Sequence, residues 1–222
     1  MSLHYPFPVI ANISDVLPHI DDNFRVVEKD LFTFVNYNMM GPDVFPAMIE
    51  GDVSGNLRSA VRRECRGIAF DAVSGNIVSR PFHKFFNAGE REDVSLDNID
   101  VSKPHHLLEK LDGSMIRPFQ IGKHFRWGTK MGFTDVGMLA EVYVEGQKSV
   151  GNFCYDKVAQ ICHDMGATPI FEFGSRKSRI VVDFQEDVMV LLAVRDTVTG
   201  EYINRNLVRS MAESCGCPIV DF

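Results

Sequence analysis

The chain has 222 residues, a net charge of −7 and a pI of about 5.5. Its 45% hydrophobic content suffices for a core, but no apolar run approaches bilayer length, and the N-terminus lacks a signal peptide's basic flank and unbroken apolar stretch. The acidic balance excludes a nucleic-acid partner held by bulk charge, so any such partner must meet a local basic patch.

The five cysteines (Cys65, Cys154, Cys162, Cys215 and Cys217) contain no Cys-x-x-Cys pair. Cys215-x-Cys217 lacks the second pair that a metal site needs, and scattered thiols indicate a reducing, cytoplasmic setting.

In chain order, residues 1–30 read as an N-terminal extension: a short helix around Ile13–Ile20 and a connecting loop, broken by Pro6, Pro8 and Pro18. Leu31–Tyr37 is rich in β-branched and aromatic residues and reads as a strand, which Gly41-Pro42 ends; residues 41–60 read as an exposed loop. Arg62–Phe70 starts basic and finishes as a strand, and a turn at Ser74-Gly75-Asn76 returns it as a hairpin at Ile77-Val78. Ser79–Glu90 is an aromatic run threaded with cations. Its phenylalanines could fill core while Arg and Lys snorkel, or a ring could stack on a base with cations on phosphates.

Glu109-Lys110-Leu111-Asp112-Gly113-Ser114-Met115-Ile116 has two compatible meanings. One is a hairpin turned by Asp-Gly between Leu107-Leu108 and Met115-Ile116. The other is a Lys-x-Asp-Gly nucleophile loop, whose lysine amine attacks a nucleotide α-phosphate and carries the nucleotidyl group as a phosphoramidate.

Beyond it, Arg117–Ile121 and His124–Lys130 read as strands joined at Gly122-Lys123. Residues 149–165 place Val150, Phe153, Cys154, Val158, Ile161, Cys162 and Met165 at helical spacing, with Gly166 as the stop. Pro169–Phe173 alternates, which sets Glu172 on the face opposite Phe171 and Phe173. Arg176, Lys177 and Arg179 occupy a loop before a strand at Ile180–Phe184. Val188–Val194 reads as a fully buried strand and Arg205–Ser214 as a final helix. Several hairpins with a few helices predict one α+β domain with antiparallel sheets.

The ordered motifs resemble the RNA ligase 1 family of T-even-type bacteriophages, a branch of the lysine-dependent nucleotidyltransferases that also holds DNA ligases and mRNA capping enzymes. The resemblance rests on Glu64-Cys65-Arg66-Gly67-Ile68-x-Phe70, Ser79-Arg80-Pro81-x-x-Lys84-Phe85-Phe86-Asn87, Lys110-x-Asp112-Gly113-Ser114, Thr129-Lys130-x-Gly132 and Phe171-Glu172-Phe173. It continues through Ser178-Arg179-Ile180-Val181, where the family has Asn first, and Thr-Gly-Glu-Tyr-Ile at 199–203; Asn36-Tyr37-Asn38 also looks familial.

The resemblance implies an antiparallel-sheet nucleotidyltransferase (ligase adenylation) domain spanning residues 1–222, with a few flanking helices. Lys110 would be adenylylated by ATP, Glu172 would hold the ribose hydroxyls, and Arg66, Lys84 and Lys130 would surround the phosphates with Mg²⁺. Phe86 would help build the nucleotide pocket, Glu109 would contact the nucleotide, and Gly113 would let the backbone approach it closely. The substrate would be RNA with 5′-phosphate and 3′-hydroxyl ends, in a host cytosol if phage-encoded. Arg80, Arg176, Lys177 and Arg179 are the candidate RNA contacts, within a basic patch that also takes in Arg58, Arg62 and Arg63. No metal ligand is assigned.

The pattern also departs from the family, which carries Glu-Gly-x-Val and then Lys-x-Lys beyond this region. Neither follows residue 205, and Glu145-Gly146-Gln147 precedes Glu172 and reads as a loop. The expectation is a domain incomplete at its C-terminal end. It is then a truncated chain, one subunit of a split ligase completed by a second polypeptide, or a degenerate nucleotide- or RNA-binding remnant.

Overall fold

In the computed structural model, residues 6–38, 41, 44–103 and 105–221 are described. Among these residues the fold is built on two four-stranded antiparallel sheets. The first contains β1 (Phe24–Lys29), β2 (Phe32–Tyr37), β3 (Arg66–Asp71) and β4 (Ile77–Ser79) in that spatial order. The second contains β5 (Ser114–Ile121), β6 (His124–Gly128), β7 (Ala167–Gly174) and β8 (Val188–Asp196), ordered β6-β5-β7-β8. Among the described residues four α-helices accompany them: α1 (Val53–Glu64), α2 (Asp135–Ser149), α3 (Cys154–Asp164) and α4 (Arg205–Cys215). Among the described residues no helix is long and apolar enough to cross a membrane.

Helices α2, α3 and α4 cover one face of the second sheet, burying Trp127, Tyr155, Phe171 and Phe173 in one cluster. Thr134 starts α2 by accepting the Gly137 N–H, and Gly216, at φ 71°, stops α4 in the left-handed conformation. Against the first sheet, Phe24, Val35, Phe45, Ile68 and Phe70 pack with α1 residues Val61 and Cys65 just beyond its end. A third cluster, Phe32, Phe34, Ala69 and Phe119, joins β2 and β3 to β5 and so holds the sheets together. The joint is tight: at Gly67, whose φ is 95°, an added Cβ would lie 2.6 Å from the Lys130 carbonyl oxygen.

The α+β class and the antiparallel pairing agree with the sequence expectation. Several segments do not. Leu107-Leu108 forms no hairpin with Met115-Ile116, because β5 pairs with β7 instead, Ser114 opposite Phe173 and Ile116 opposite Phe171. Residues 41–60 include most of α1, capped by Asp52 accepting the Gly55 N–H. The helical spacing over 149–165 divides at Gly151, φ 85°, so Ser149 ends α2 and Cys154 begins α3. Residues 1–30 contain β1 in addition to two 3₁₀ turns, Ile13–Asp15 and Leu17–His19, rather than one helix. Ile180–Phe184 is irregular, and β8 is half-covered rather than fully buried.

Candidate active site

Lys110 lies exposed on the irregular segment that leads into β5. Asp112 and Gly113 both anchor that segment. Asp112 accepts the backbone N–H groups of Val181 and Val182, at 2.8 and 2.7 Å. Those bonds, Val182 first, hold its carboxyl below the usual carboxylate range. They also take two amides that a strand at Ile180–Phe184 would have needed. Gly113 then presses on β7, where a Cβ would lie 2.5 Å from the Phe173 carbonyl oxygen. The glycine therefore permits a close backbone-to-backbone approach between this segment and β7.

Opposite Met115 in the ladder stands Glu172, which points away from the core that holds Phe171 and Phe173. Burial pushes its carboxyl up to about 7, against the pull of Lys110 and Arg66; Asp112 adds to the rise. Arg66 opens β3 on the other sheet, its Nη1 3.6 Å from the Met115 sulfur and its guanidinium 5.5 Å from the Phe85 ring centre. Between the sheets lies a cleft of about 850 Å³, lined by Arg66, Glu109, Lys110, Gly113 and Glu172. Phe82, Phe85, Tyr202, Leu192 and Val220 add aromatic and aliphatic surface to the same lining. The charged side chains can meet phosphate and sugar, and the apolar ones offer surface to a base. That volume lies within the ordinary range of small-molecule sites.

Three expected residues stand outside this cleft lining. Lys84 donates to the Phe85 carbonyl at 2.7 Å and sits 4.4 Å from the Phe86 ring centre. Burial lowers its pKa, offset by Glu90, and Arg66, Arg91 and Arg63 lower it further. Phe86 turns toward the first sheet, against Phe45, with Arg63 and Arg91 also over its ring. The ring that lines the cleft is its neighbour Phe85. Lys130 sits at the joint of the sheets, its carbonyl accepting from Asn36 Nδ2 at 2.9 Å and its ammonium 5.6 Å from the Tyr37 ring centre.

Arg80 is removed from the RNA-binding set. It is fully buried, donating to Glu64 at 3.0 Å and to the Pro8 and Val198 carbonyls at 2.8 and 2.6 Å. Arg62 and Arg63 are buried as well, Arg62 pairing with Asp21, while Arg58 stays half-exposed, 3.6 Å from Asp21. The other three expected contacts, Arg176, Lys177 and Arg179, are exposed on the loop that Asp112 tethers. Arg176 holds Asp183 through two bonds, at 2.9 and 3.0 Å.

Sequence reasoning passed over the Phe82–Phe85–Tyr202 wall and the tie from Asp112. His83 supports the wall, its Nδ1 3.1 Å from the Tyr202 hydroxyl, and burial pushes its pKa down to about 4. The aromatic run was the available signal, but neighbouring phenylalanines in an irregular segment do not announce which ring turns inward.

A family profile described as RNA ligase matches residues 64–222. A Thermovibrio ammonificans protein provisionally named an RNA ligase is 30% identical over 195 residues, covering 86% of this chain and 46% of its own length. RNA ligase 1 of bacteriophage TS2126 is 29% identical over 149 residues, 64% of this chain and 36% of its own. A protein of Autographa californica nuclear polyhedrosis virus, provisionally named a bifunctional polynucleotide kinase/RNA ligase, is 28% identical over 157 residues, 63% of this chain and 22% of its own. The chain thus spans less than half the length of these relatives.

Proposed function

The chain belongs to the RNA ligase family, of the phage RNA ligase 1 type, and from that premise we propose that residues 1–222 act as one adenylyltransferase domain for RNA sealing in the cytoplasm. The observation that carries this reading is that Lys110, Glu172 and Arg66 line a single cleft although they come from three different segments.

The Lys110 amine attacks the α-phosphorus of ATP; the N–P bond forms, the α–β phosphoanhydride bond breaks, and pyrophosphate leaves. Arg66 meets the charge that builds on the phosphates, and Glu172 accepts from the ribose hydroxyls. The apolar wall at Phe85 and Tyr202 takes the base. An RNA 5′-phosphate oxygen then attacks the lysyl-adenylate phosphorus and frees Lys110, and a 3′-hydroxyl displaces AMP to close the strand. Arg176, Lys177 and Arg179, held near Lys110 through Asp112, offer cations to the RNA backbone.

Among the described residues no three His, Cys, Asp or Glu side chains gather into a metal cage. Such a donor set suits Mg²⁺ arriving on the nucleotide phosphates, with at most one or two protein carboxylates, Glu109 and Glu172 being those that line the cleft. When bound, the ion supplies charge neutralisation at the phosphates.

A second reading, nucleotide binding with transfer completed by a second polypeptide or not at all, is favoured by the placement of Lys84 and Lys130 outside the cleft lining. One experiment separates the two. The chain is incubated with α-labelled ATP and Mg²⁺ and run on a denaturing gel beside Lys110→Ala. A labelled band lost in the variant supports transfer. No band, with ATP binding that survives Lys110→Ala, supports the second reading.

A further inference from the structure

Arg117 is a charged side chain that the chemistry above does not use. On β5, Ile116 faces the helices, while Arg117 and Phe119 take the other face, toward the first sheet. Arg117 is fully buried, with its guanidinium 5.0 Å from the Phe119 ring centre. Nη2 donates to the Gly67 carbonyl; among the described residues Nε and Nη1 have no hydrogen-bond partner.

Its location gives this isolation a use. Gly67 follows Arg66, and the same glycine abuts Lys130, whose Cα would lie 2.7 Å from an added Cβ. Arg117 therefore braces the point where the strand of Arg66 touches the turn of Lys130. Burial and then the Arg66 charge push its pKa down to about 9, which leaves it cationic at neutral pH. A buried guanidinium with two unpartnered nitrogens is costly, and an apolar side chain of similar volume would be the more stable occupant. An anion nearby offsets that cost, because a charge acts far more strongly through protein than through water.

We propose that Arg117 is a positioning residue that lends positive charge to the Arg66 side of the cleft for the polyphosphate of a nucleotide, without touching the ligand. The ligand class rests on the nucleotide reading above; the site itself rests on the buried cation.

Isothermal titration of the chain with ATP, inorganic tripolyphosphate and adenosine tests it in wild type, Arg117→Met and Arg117→Gln. Met matches the volume without charge. Gln keeps an N–H donor and serves the same comparison if the Met variant does not fold. The expected result is ATP and tripolyphosphate binding weakened on the order of tenfold, the scale of one charge felt through protein. Adenosine binding stays unchanged, and the Met variant melts at or above the wild-type temperature. Equal loss for ATP and adenosine, or a lower melting temperature with unchanged phosphate selectivity, assigns Arg117 a structural role and overturns the proposal. Tripolyphosphate binding without ATP binding in wild type sinks the nucleotide reading alone, and the Arg117 comparison on tripolyphosphate still decides this one. Binding of neither phosphate overturns both.

Discussion

Glu64 receives the Arg195 guanidinium on both carboxylate oxygens, at 3.0 and 3.1 Å, with both side chains fully buried. Arg80 adds a third bond at 3.0 Å. The network ties the end of α1 to β8, and thus the first sheet to the second, one residue before the Cys65-Arg66 step into the cleft.

Glu64→Gln is expected to destabilise the fold by about 3–5 kcal/mol, because it strands two buried cations; urea unfolding measures it. The pH dependence follows. Burial pushes Glu64 up, but Arg195 and then Arg80 hold it below its ordinary value of 4.5. A depressed folded-state pKa gives stability that is present above the unfolded value and lost as pH falls through the folded one. Wild type should therefore lose stability below about pH 4.5 more steeply than Glu64→Gln does. Parallel curves would remove Glu64 as the acid-sensitive group.

Asp112 acts on the loop and not on the core. Asp112→Ala frees the Val181 and Val182 amides, so residues 175–184 lose their tie to the Lys110 segment. Adenylylation is expected to fall tenfold or more, while the melting temperature barely moves, since the lost bonds are at the surface. Asp112→Asn, which retains one carbonyl acceptor, should fall between. If both variants label at the wild-type rate, the tether has no part in placing Lys110.

Much of this was legible in the sequence because it is written in periodicity and punctuation. Strand alternation placed Glu172 opposite Phe171 and Phe173, and the Lys110 and Arg66 motifs identified two further residues that line the cleft. What periodicity does not encode is the partner. Arg80 and Arg62 read as surface cations because their carboxylates, Glu64 and Asp21, lie on other elements. The Asp-Gly pair suggested a hairpin because nothing local shows that Gly113 must fit against β7. Phe85 and Phe86 are adjacent in sequence, yet Phe85 lines the cleft and Phe86 packs with the Phe45 cluster, a choice made by the packing of Phe45 and not by either phenylalanine.

The two rings should separate by experiment. Phe85→Ala removes an exposed ring that lines the cleft, so ATP affinity should drop severalfold with little change in stability. Phe86→Ala removes a half-buried ring that packs on Phe45 and lies beneath Lys84, Arg63 and Arg91. A loss of about 2 kcal/mol in unfolding free energy is expected, below the figure for a fully buried phenylalanine. Calorimetry and denaturant unfolding on both variants check the pair; the opposite pattern would return Phe86 to the nucleotide pocket.

Glu172 carries the clearest pH signature in the cleft. Its carboxyl ordinarily titrates at 4.5 and is pushed up to about 7 by burial. For an acid raised in this way, the folded state holds more protons than the unfolded state between those two values. Stability of the free chain therefore declines as pH rises through that window, by at most about 1.4 kcal/mol per pH unit. Ligand binding runs the other way. Ribose hydroxyls donate best to the ionised carboxylate, so ATP affinity should rise from pH 6 to 8 (roughly one unit either side of the shifted value), with 2′,3′-dideoxy-ATP showing no such rise. Glu172→Gln should flatten both curves, giving a chain more stable than wild type near pH 7 and equally indifferent to the two nucleotides. A dideoxy nucleotide that keeps the full pH dependence would place the titrating group elsewhere and leave Glu172 without its ribose role.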